Sequence, residues 1–262
     1  MSRVIKPSLG ELLDTRYRQH PRYRGCVGHW MAVEGGGTTL YDFSGWQNHG
    51  TFSGSPIWGL GPCGSALNIN GAGYVNCGNS ASLNVSSFTI ALRAYYNSGS
   101  FGTWQSICGR QGFTSGNIDY ICDMNSSGLI RAGVAGVTAS SGATVPFRQW
   151  FSFVFSHSPS GFNCYLNAQL TGSGAAIGTP TTSYNFIIGD HWDNPWNGLF
   201  DYVRLYNRAL TPSEVLSLYQ DPFLEFEDEE SVFYSIPGSQ FLYSQLERAG
   251  RGMFRGMGIG AR

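Results

Sequence analysis

From Leu199 to Tyr206 the chain alternates with a period of two. Leu199, Val203 and Leu205 fall on one face, and Phe200, Tyr202, Arg204 and Tyr206 on the other, as in a half-buried strand. Asp201 has the parity of the aliphatic face, which places a carboxylate among apolar side chains. Thr211-Pro212-Ser213-Glu214 then reads as a capping box with proline at the first helical position. Val215, Leu216 and Tyr219 supply the apolar side of a short helix, and Pro222 stops it. The two-residue period recurs upstream, with Phe88, Ile90 and Leu92 inward over 88–94. Further strands are predicted over 118–124, 149–155, 162–169 and 183–189. Glycines 35–37, and Gly71 with Gly73, mark tight turns. This pattern predicts an all-β chain of many strands joined by tight turns, with a short C-terminal helix and terminal arms.

The two ends read differently from the body. Over 8–17 a short helix is predicted, with Ser8 and Glu11 as a capping box and Leu9, Leu12 and Leu13 as its apolar patch. Arg16, Arg18, Arg22 and Arg24 follow, interleaved with Tyr17 and Tyr23. Such a run can bind phosphate or stack on bases. It is short and has acids nearby, so it is read as a packing arm. At the other end Glu225, Glu227, Asp228, Glu229 and Glu230 form an acidic run, and Val232-Phe233-Tyr234 has the character of an edge strand. Residues 248–262 are rich in Gly, Arg and Met and cannot build a core alone. The division expected is an N-terminal arm over 1–24, a β domain over 25–220, and an acidic, then Gly/Arg-rich, arm over 221–262.

Composition adds three constraints. The 262 residues include 36 glycines, and 15% are aromatic, which suits many strands joined by tight turns. Net charge is −1, which gives no argument for nucleic acid or a membrane surface, and neither is expected as partner. The body, 25–220, holds only six arginines and eight acids, against six Lys/Arg in 1–24 and seven acids in 221–262. Either its surface is uncharged and polar, or neighbouring subunits cover it. The first residues lack the apolar stretch of a signal peptide, and no apolar run approaches the ~18 residues of a membrane span. Synthesis in the cytoplasm is therefore expected. Cys26, Cys63, Cys77, Cys108, Cys122 and Cys164 form no CxxC pair and are expected to be free, buried thiols.

Two stretches carry a family resemblance. Gly198-x-x-Asp201-x-Val203-Arg204-x-Tyr206-x-Arg208-Ala209-Leu210-x-x-x-Glu214-x-x-x-Leu218-Tyr219 resembles the closing strand and helix of laminin-G-like jelly-roll domains. These belong to the concanavalin A-like lectin/glucanase superfamily, and the resemblance implies a two-sheet antiparallel jelly-roll sandwich over 25–220. Tyr202 stands where that family usually has an acidic residue. Residues 25–50 resemble the family's opening, with Trp30 on an apolar strand, a Glu34-Gly turn, then Asp42-x-Ser44-Gly45 and Asn48-x-Gly50. The resemblance implies a structural calcium near Asp201 and Asp42, with Asn48 completing its oxygen shell. The alternative is that these aspartates brace turns through hydrogen bonds. It also implies a carbohydrate site on the loop Asp190-His191-Trp192-Asp193-Asn194, with Trp104 on a second loop. The layout and the Leu218-Tyr219-x-Asp221-Pro222-Phe223 exit resemble proteins of tailed phages and prophages.

Catalysis is disfavoured. Glycoside hydrolysis needs paired carboxyl groups, and no glutamate lies between Glu34 and Glu214. Asp119 and Asp123 share a strand face but stand roughly 13 Å apart along it. None of the five histidines adjoins a nucleophile motif. The leading expectation is a non-catalytic structural or adhesion subunit, a phage virion surface or capsid decoration protein. It would contact itself or capsid and tail proteins through its arms, with Arg16, Arg18, Arg22 and Arg24 of one subunit facing the 225–230 acidic run of another. The alternative is a soluble carbohydrate-binding, lectin-like module.

Overall fold

The computed structural model describes residues 6–8, 11–12, 15–71, 73–97, 104–112, 118–180, 184–189 and 196–226. Two antiparallel sheets form a sandwich. Sheet I runs, in spatial order, β14 (Gln169–Gly174), β13 (Gly161–Leu166), β12 (Trp150–Ser158), β7 (Phe88–Tyr96), β16 (Gly198–Tyr206), β5 (Gly64–Asn68) and β4 (Ile57–Gly61). Strand β1 (Cys26–Trp30) also pairs with β16. Sheet II runs β11 (Val137–Thr144), β10 (Leu129–Val134), β9 (Ile118–Asn125), β8 (Trp104–Gln111), β15 (Phe186–Ile188), β6 (Gly73–Asn76), β3 (Gly50–Gly54) and β2 (Thr39–Leu40). Between the sheets lie Leu92, Ile107, Cys122, Phe153, Phe155 and their neighbours. Trp30 stacks on Phe186 at 5.0 Å between ring centroids. Trp196 lies 5.0 Å from Tyr96, fully buried. All six cysteines are free and buried.

Strand β16 departs from simple alternation. Its register against β7 shifts between Phe200 and Tyr202. The bulge reverses the facing of every residue before it relative to those after it. Phe200 therefore joins Val203 and Leu205 in the core, while Leu199 is left half-buried. Tyr202 and Tyr206 belong to separate apolar clusters outside that core. Asp201 sits at the bulge, buried, with Lys6 Nζ 2.9 Å from its Oδ1.

The N-terminal segment is a second correction. It is no arm apart from the domain: its described residues belong to the one compact unit that ends at Phe226. Ser8 and Glu11 do form the capping box, with Ser8 N–H donating to Glu11 Oε2 at 2.6 Å and Glu11 N–H to Ser8 Oγ at 3.3 Å. Tyr17 and Tyr23 then pack with Ala91, Val154, Tyr165 and Tyr206, and Leu12 packs with Tyr202 and Phe223. Sheet I turns Ala91, Val154, Tyr165 and Tyr206 toward this segment, which covers them. Each large apolar side chain buried here contributes about 1.5–3 kcal/mol.

Helix α1 (Pro212–Gln220) carries the predicted cap: Thr211 and Glu214 bond reciprocally. It turns Val215 and Leu218 onto sheet I, whereas Leu216 and Tyr219 are exposed. Residues 221–226 continue into the same unit. Residues 227–262, with Glu227, Asp228, Glu229, Glu230 and the 232–234 stretch, lie outside the described residues.

Candidate functional site

Asp42 organises the turn between β2 and β3. Its Oδ1 accepts from His29 N–H and Ser44 N–H, both at 2.8 Å. Its Oδ2 accepts from Ser44 Oγ–H at 2.8 Å and Asn48 N–H at 2.9 Å. Asn48 donates its amide to Val27 O at 2.8 Å, and Trp30 Nε1–H donates to Asn48 O at 2.8 Å. Four donors fill the acceptor capacity of the carboxylate. Asp201 is served by other groups, Lys6 Nζ at 2.9 Å and Arg93 Nη1 at 3.7 Å. Asp42, Asn48 and Asp201 therefore do not fit a calcium shell, which needs free oxygen ligands converging on one point. Among the described residues no group of three His, Cys, Asp or Glu could hold a metal.

The braced turn presents side chains to solvent. Gly45 has φ 99° and Gln47 has φ 59°, so the chain reverses tightly between them. Trp46, between these two, is 57% exposed, and Tyr41 is 48% exposed. Tyr41 meets the His49 ring edge-on at 5.1 Å. His49 Nδ1 accepts from Asp42 N–H at 3.0 Å. The ring proton then belongs on Nε2, which is left as a donor. A pocket of about 350 Å³ opens beside this turn, lined by Gln47, His49, Thr51, Asn76 and Ser80, with Asn48, Cys77 and Gly78. Thr51 on β3 stands opposite Asn76 on β6. Asn76 Oδ1 accepts from Gly78 N–H at 2.9 Å, which fixes the amide. Burial pushes the Cys77 thiol well above its usual range, so it offers no thiolate.

The residues that sequence assigned to sugar binding fare differently. Trp104 has the Arg131 guanidinium 3.3 Å above its ring, so one stacking face is occupied. Arg131 in turn holds Asp123 in a two-pronged ion pair, Nε–Oδ1 at 2.7 Å and Nη2–Oδ2 at 2.8 Å. Burial nonetheless pushes the Asp123 carboxyl up. Asp119 lies 3.8 Å from Arg110 Nη1. His191, Trp192, Asp193 and Asn194 lie outside the described residues.

A family model described as concanavalin A-like lectin/glucanases superfamily matches residues 70–216, more than half of the chain. The chain belongs to this superfamily. Its sandwich is similar to domain 4 of the extracellular arabinanase AbnA from Geobacillus stearothermophilus, solved with arabinotriose. That match has TM-score 0.61 and 22% identity, covering 74% of this chain and 98% of that one. The binding domain of Paraclostridial Mosquitocidal Protein 1 matches with TM-score 0.62 and 14% identity, over 76% of this chain and 52% of that one. Trypanosoma rangeli sialidase, in complex with sialic acid, matches with TM-score 0.60 and 15% identity, over 78% of this chain. The match spans 34% of the sialidase's length. At these identities the likeness is one of fold. Among curated proteins, none matches.

In this concanavalin A-like domain the charges expected to join subunits are partly spent within the chain. Arg22 is buried, donates to Ser217 O at 2.6 Å and Asp221 O at 2.5 Å, and lies 3.6 Å from Glu225 Oε2. Glu225 Oε1 is 2.5 Å from Arg204 Nη2, with both side chains fully buried. The Arg22 and Glu225 charges thus meet in one molecule, which corrects the intermolecular pairing expected for them. Arg18 lies along Tyr17 and against Gly45, whose added Cβ would come 3.1 Å from Arg18 Nη1. Arg16 and Arg24 are exposed.

Proposed function

We propose that this chain is a non-catalytic carbohydrate-binding module whose saccharide site is the Asp42-braced pocket. One observation carries the reading. A turn fixed by four hydrogen bonds to Asp42 holds Trp46, Gln47 and His49 beside a pocket of neutral hydrogen-bonding groups. Sugars offer hydroxyls that both donate and accept, and apolar C–H faces that pack on aromatic rings. Amides, hydroxyls and an exposed indole match both features, and a fixed turn lowers the ordering cost of binding. Similar folds solved with arabinotriose and with sialic acid are consistent with this use of the sandwich.

Asp119 and Asp123 support a non-catalytic reading, since each is engaged by an arginine rather than aimed at a shared reacting bond. A virion surface or decoration role draws on the sequence resemblance and the charge-poor body. The test is a glycan array with the full-length chain and Trp46→Ala. Wild type is expected to retain a saccharide, and the variant to lose about tenfold in affinity, the scale of one stacking contact. Retention of no saccharide by wild type would sink the reading.

A further inference from the structure

Among the described residues, strand β4 is the open edge of the sandwich. It pairs with β5 alone, from Ile57 opposite Asn68 to Gly61 opposite Gly64, with no bulge. The other edges are closed. The Asp42 turn lies along β1, bridging to Trp30, and β2 is only two residues long. Strand β11 meets β14, where a Cβ on Gly142 would come 3.2 Å from Thr171 O. Natural edges are blunted by charge, proline, bulges or cover, because a bare edge templates another strand. The β4 stretch, Ile57-Trp58-Gly59-Leu60-Gly61, holds no charge and no proline. No Asp, Glu, Lys or Arg occurs anywhere between Asp42 and Arg93. Leu60 is 86% exposed, the most of any large apolar side chain described, and Ile57 is 51% exposed.

The backbone decides what fits this edge. Gly61 and Gly64 flank a two-residue turn and exchange hydrogen bonds, so by alternation Ile57, Gly59 and Gly61 are the residues bonded to β5. The N–H and C=O groups of Trp58 and Leu60 therefore point away from β5, and no described group bonds to them there. A second copy of the strand, antiparallel about Gly59, sets Trp58 opposite Leu60 of the second copy and Leu60 opposite its Trp58. Each such pair exchanges two hydrogen bonds, and every outward group is satisfied. Centring the pair on Trp58 instead would put Leu60 opposite Pro56, and centring it on Leu60 would put Trp58 opposite Pro62. Neither proline has an N–H to give, so the prolines select one register and end the ladder. In that register Ile57 faces Gly61 of the second copy, large against small. The strip is neutral, so a second copy brings no like charge against it, and a charged partner would find no counter-charge. We infer that β4 pairs with β4 of a second copy about a two-fold axis, joining sheet I of each into one continuous sheet. This pairing does not depend on what the pocket binds.

Two short strands bury less than the ~800 Å² per partner of a standard interface, so the expected dimer is weak, with Kd of about 1–100 µM. The experiment is sedimentation velocity on the full chain from about 1 to about 300 µM, which brackets that range. Wild type should pass from monomer to dimer, with a midpoint unchanged by salt, since no charge takes part. Leu60→Lys should weaken association at least about tenfold, because a lysine would have to leave water at the contact. The position is exposed, so melting of this variant at low concentration should match wild type. Leu60→Lys mixed with Leu60→Glu should recover the dimer, because these two side chains lie diagonally across the pair at about 7–8 Å. Leu170→Lys, at an exposed leucine on β14, should leave the midpoint where it is. Monomeric wild type throughout the series would overturn the pairing and leave the edge to a different strand. A dimer that Leu60→Lys leaves intact, that Leu170→Lys weakens equally, or that salt dissolves would place the contact elsewhere and overturn it too. A mixture that stays monomeric would refute the register about Gly59.

Discussion

Replacing Lys6 by Met should destabilise the domain by about 3 kcal/mol, which distinguishes an N-terminal segment built into the fold from a dispensable arm. The Lys6 and Asp201 side chains are 4% and 0% exposed, and 2.9 Å apart. Lys6 also donates to Ala32 O at 3.3 Å and to Ser65 O. Burial lowers the Lys6 pKa, and the Asp201 charge opposes that shift, so the ammonium is tied to its partner. Methionine keeps most of the stem and leaves a small cavity term, so the loss is mainly electrostatic. Removing one member of a buried pair strands the other, at about 3–5 kcal/mol. Arg93 remains 3.7 Å from Asp201 and is 28% exposed, which puts the estimate at the low end of that ~3–5 kcal/mol range. For a domain of this size about 3 kcal/mol corresponds to a melting temperature lower by roughly 6–12 °C. Urea titration followed by tryptophan fluorescence gives the free energy, and Lys6→Met/Asp201→Asn closes the cycle. The double variant should recover part of the loss, because neither charge is then stranded. A single-variant loss below about 1 kcal/mol, or a strictly additive double variant, would refute the pairing as a structural element.

Two further outcomes follow from the same geometry. The Arg208 hydrogen bonds, ahead of those from Thr211, lower the Glu214 carboxyl from its ordinary 4.5 to about 2. The folded form holds that proton less tightly than the unfolded chain, so the stabilisation is fully present above about pH 4.5 and is lost as pH falls through about 2. Glu214→Gln should thus cost about 1 kcal/mol at neutral pH, discounted for exposure, and nothing near the bottom of that window; a pH-independent cost would contradict the assignment. Because the oxygens of Asp42 are filled and Asp201 is ion-paired, calcium or a chelator should leave the melting temperature unchanged. A ligand at a hundredfold excess over its Kd would add about 2.7 kcal/mol, so a rise with calcium that a chelator reverses would restore the metal.

Local rules were legible in the sequence because they need only near neighbours. The Thr211–Glu214 and Ser8–Glu11 capping boxes, the alternation in β7 and β12, and the family's closing motif all depend on spacings of two to four residues. Asp42, Asn48 and Asp201 stood out in the sequence as candidate calcium ligands; in the structure Asp42 and Asn48 are engaged by the folded turn and Asp201 by an ion pair. What serves them was not legible. Asp42 is satisfied by donors that the folded turn brings together, and Asp201 is ion-paired with Lys6, which lies far away in the chain but adjacent in space. The bulge in β16 left no periodic trace, since Phe200 and Tyr202 are both aromatic and either suits an apolar surface. Charge counting found the attraction between Arg22 and Glu225; only packing decided that they meet within one molecule. The pocket was the least visible feature. Gln47, Thr51 and Asn76 form no motif and become neighbours through the β3–β6 register and the Asp42 turn. Sequence patterns report which face a residue turns to its own element, whereas a binding site is made where separate elements meet, and that is set by long-range packing.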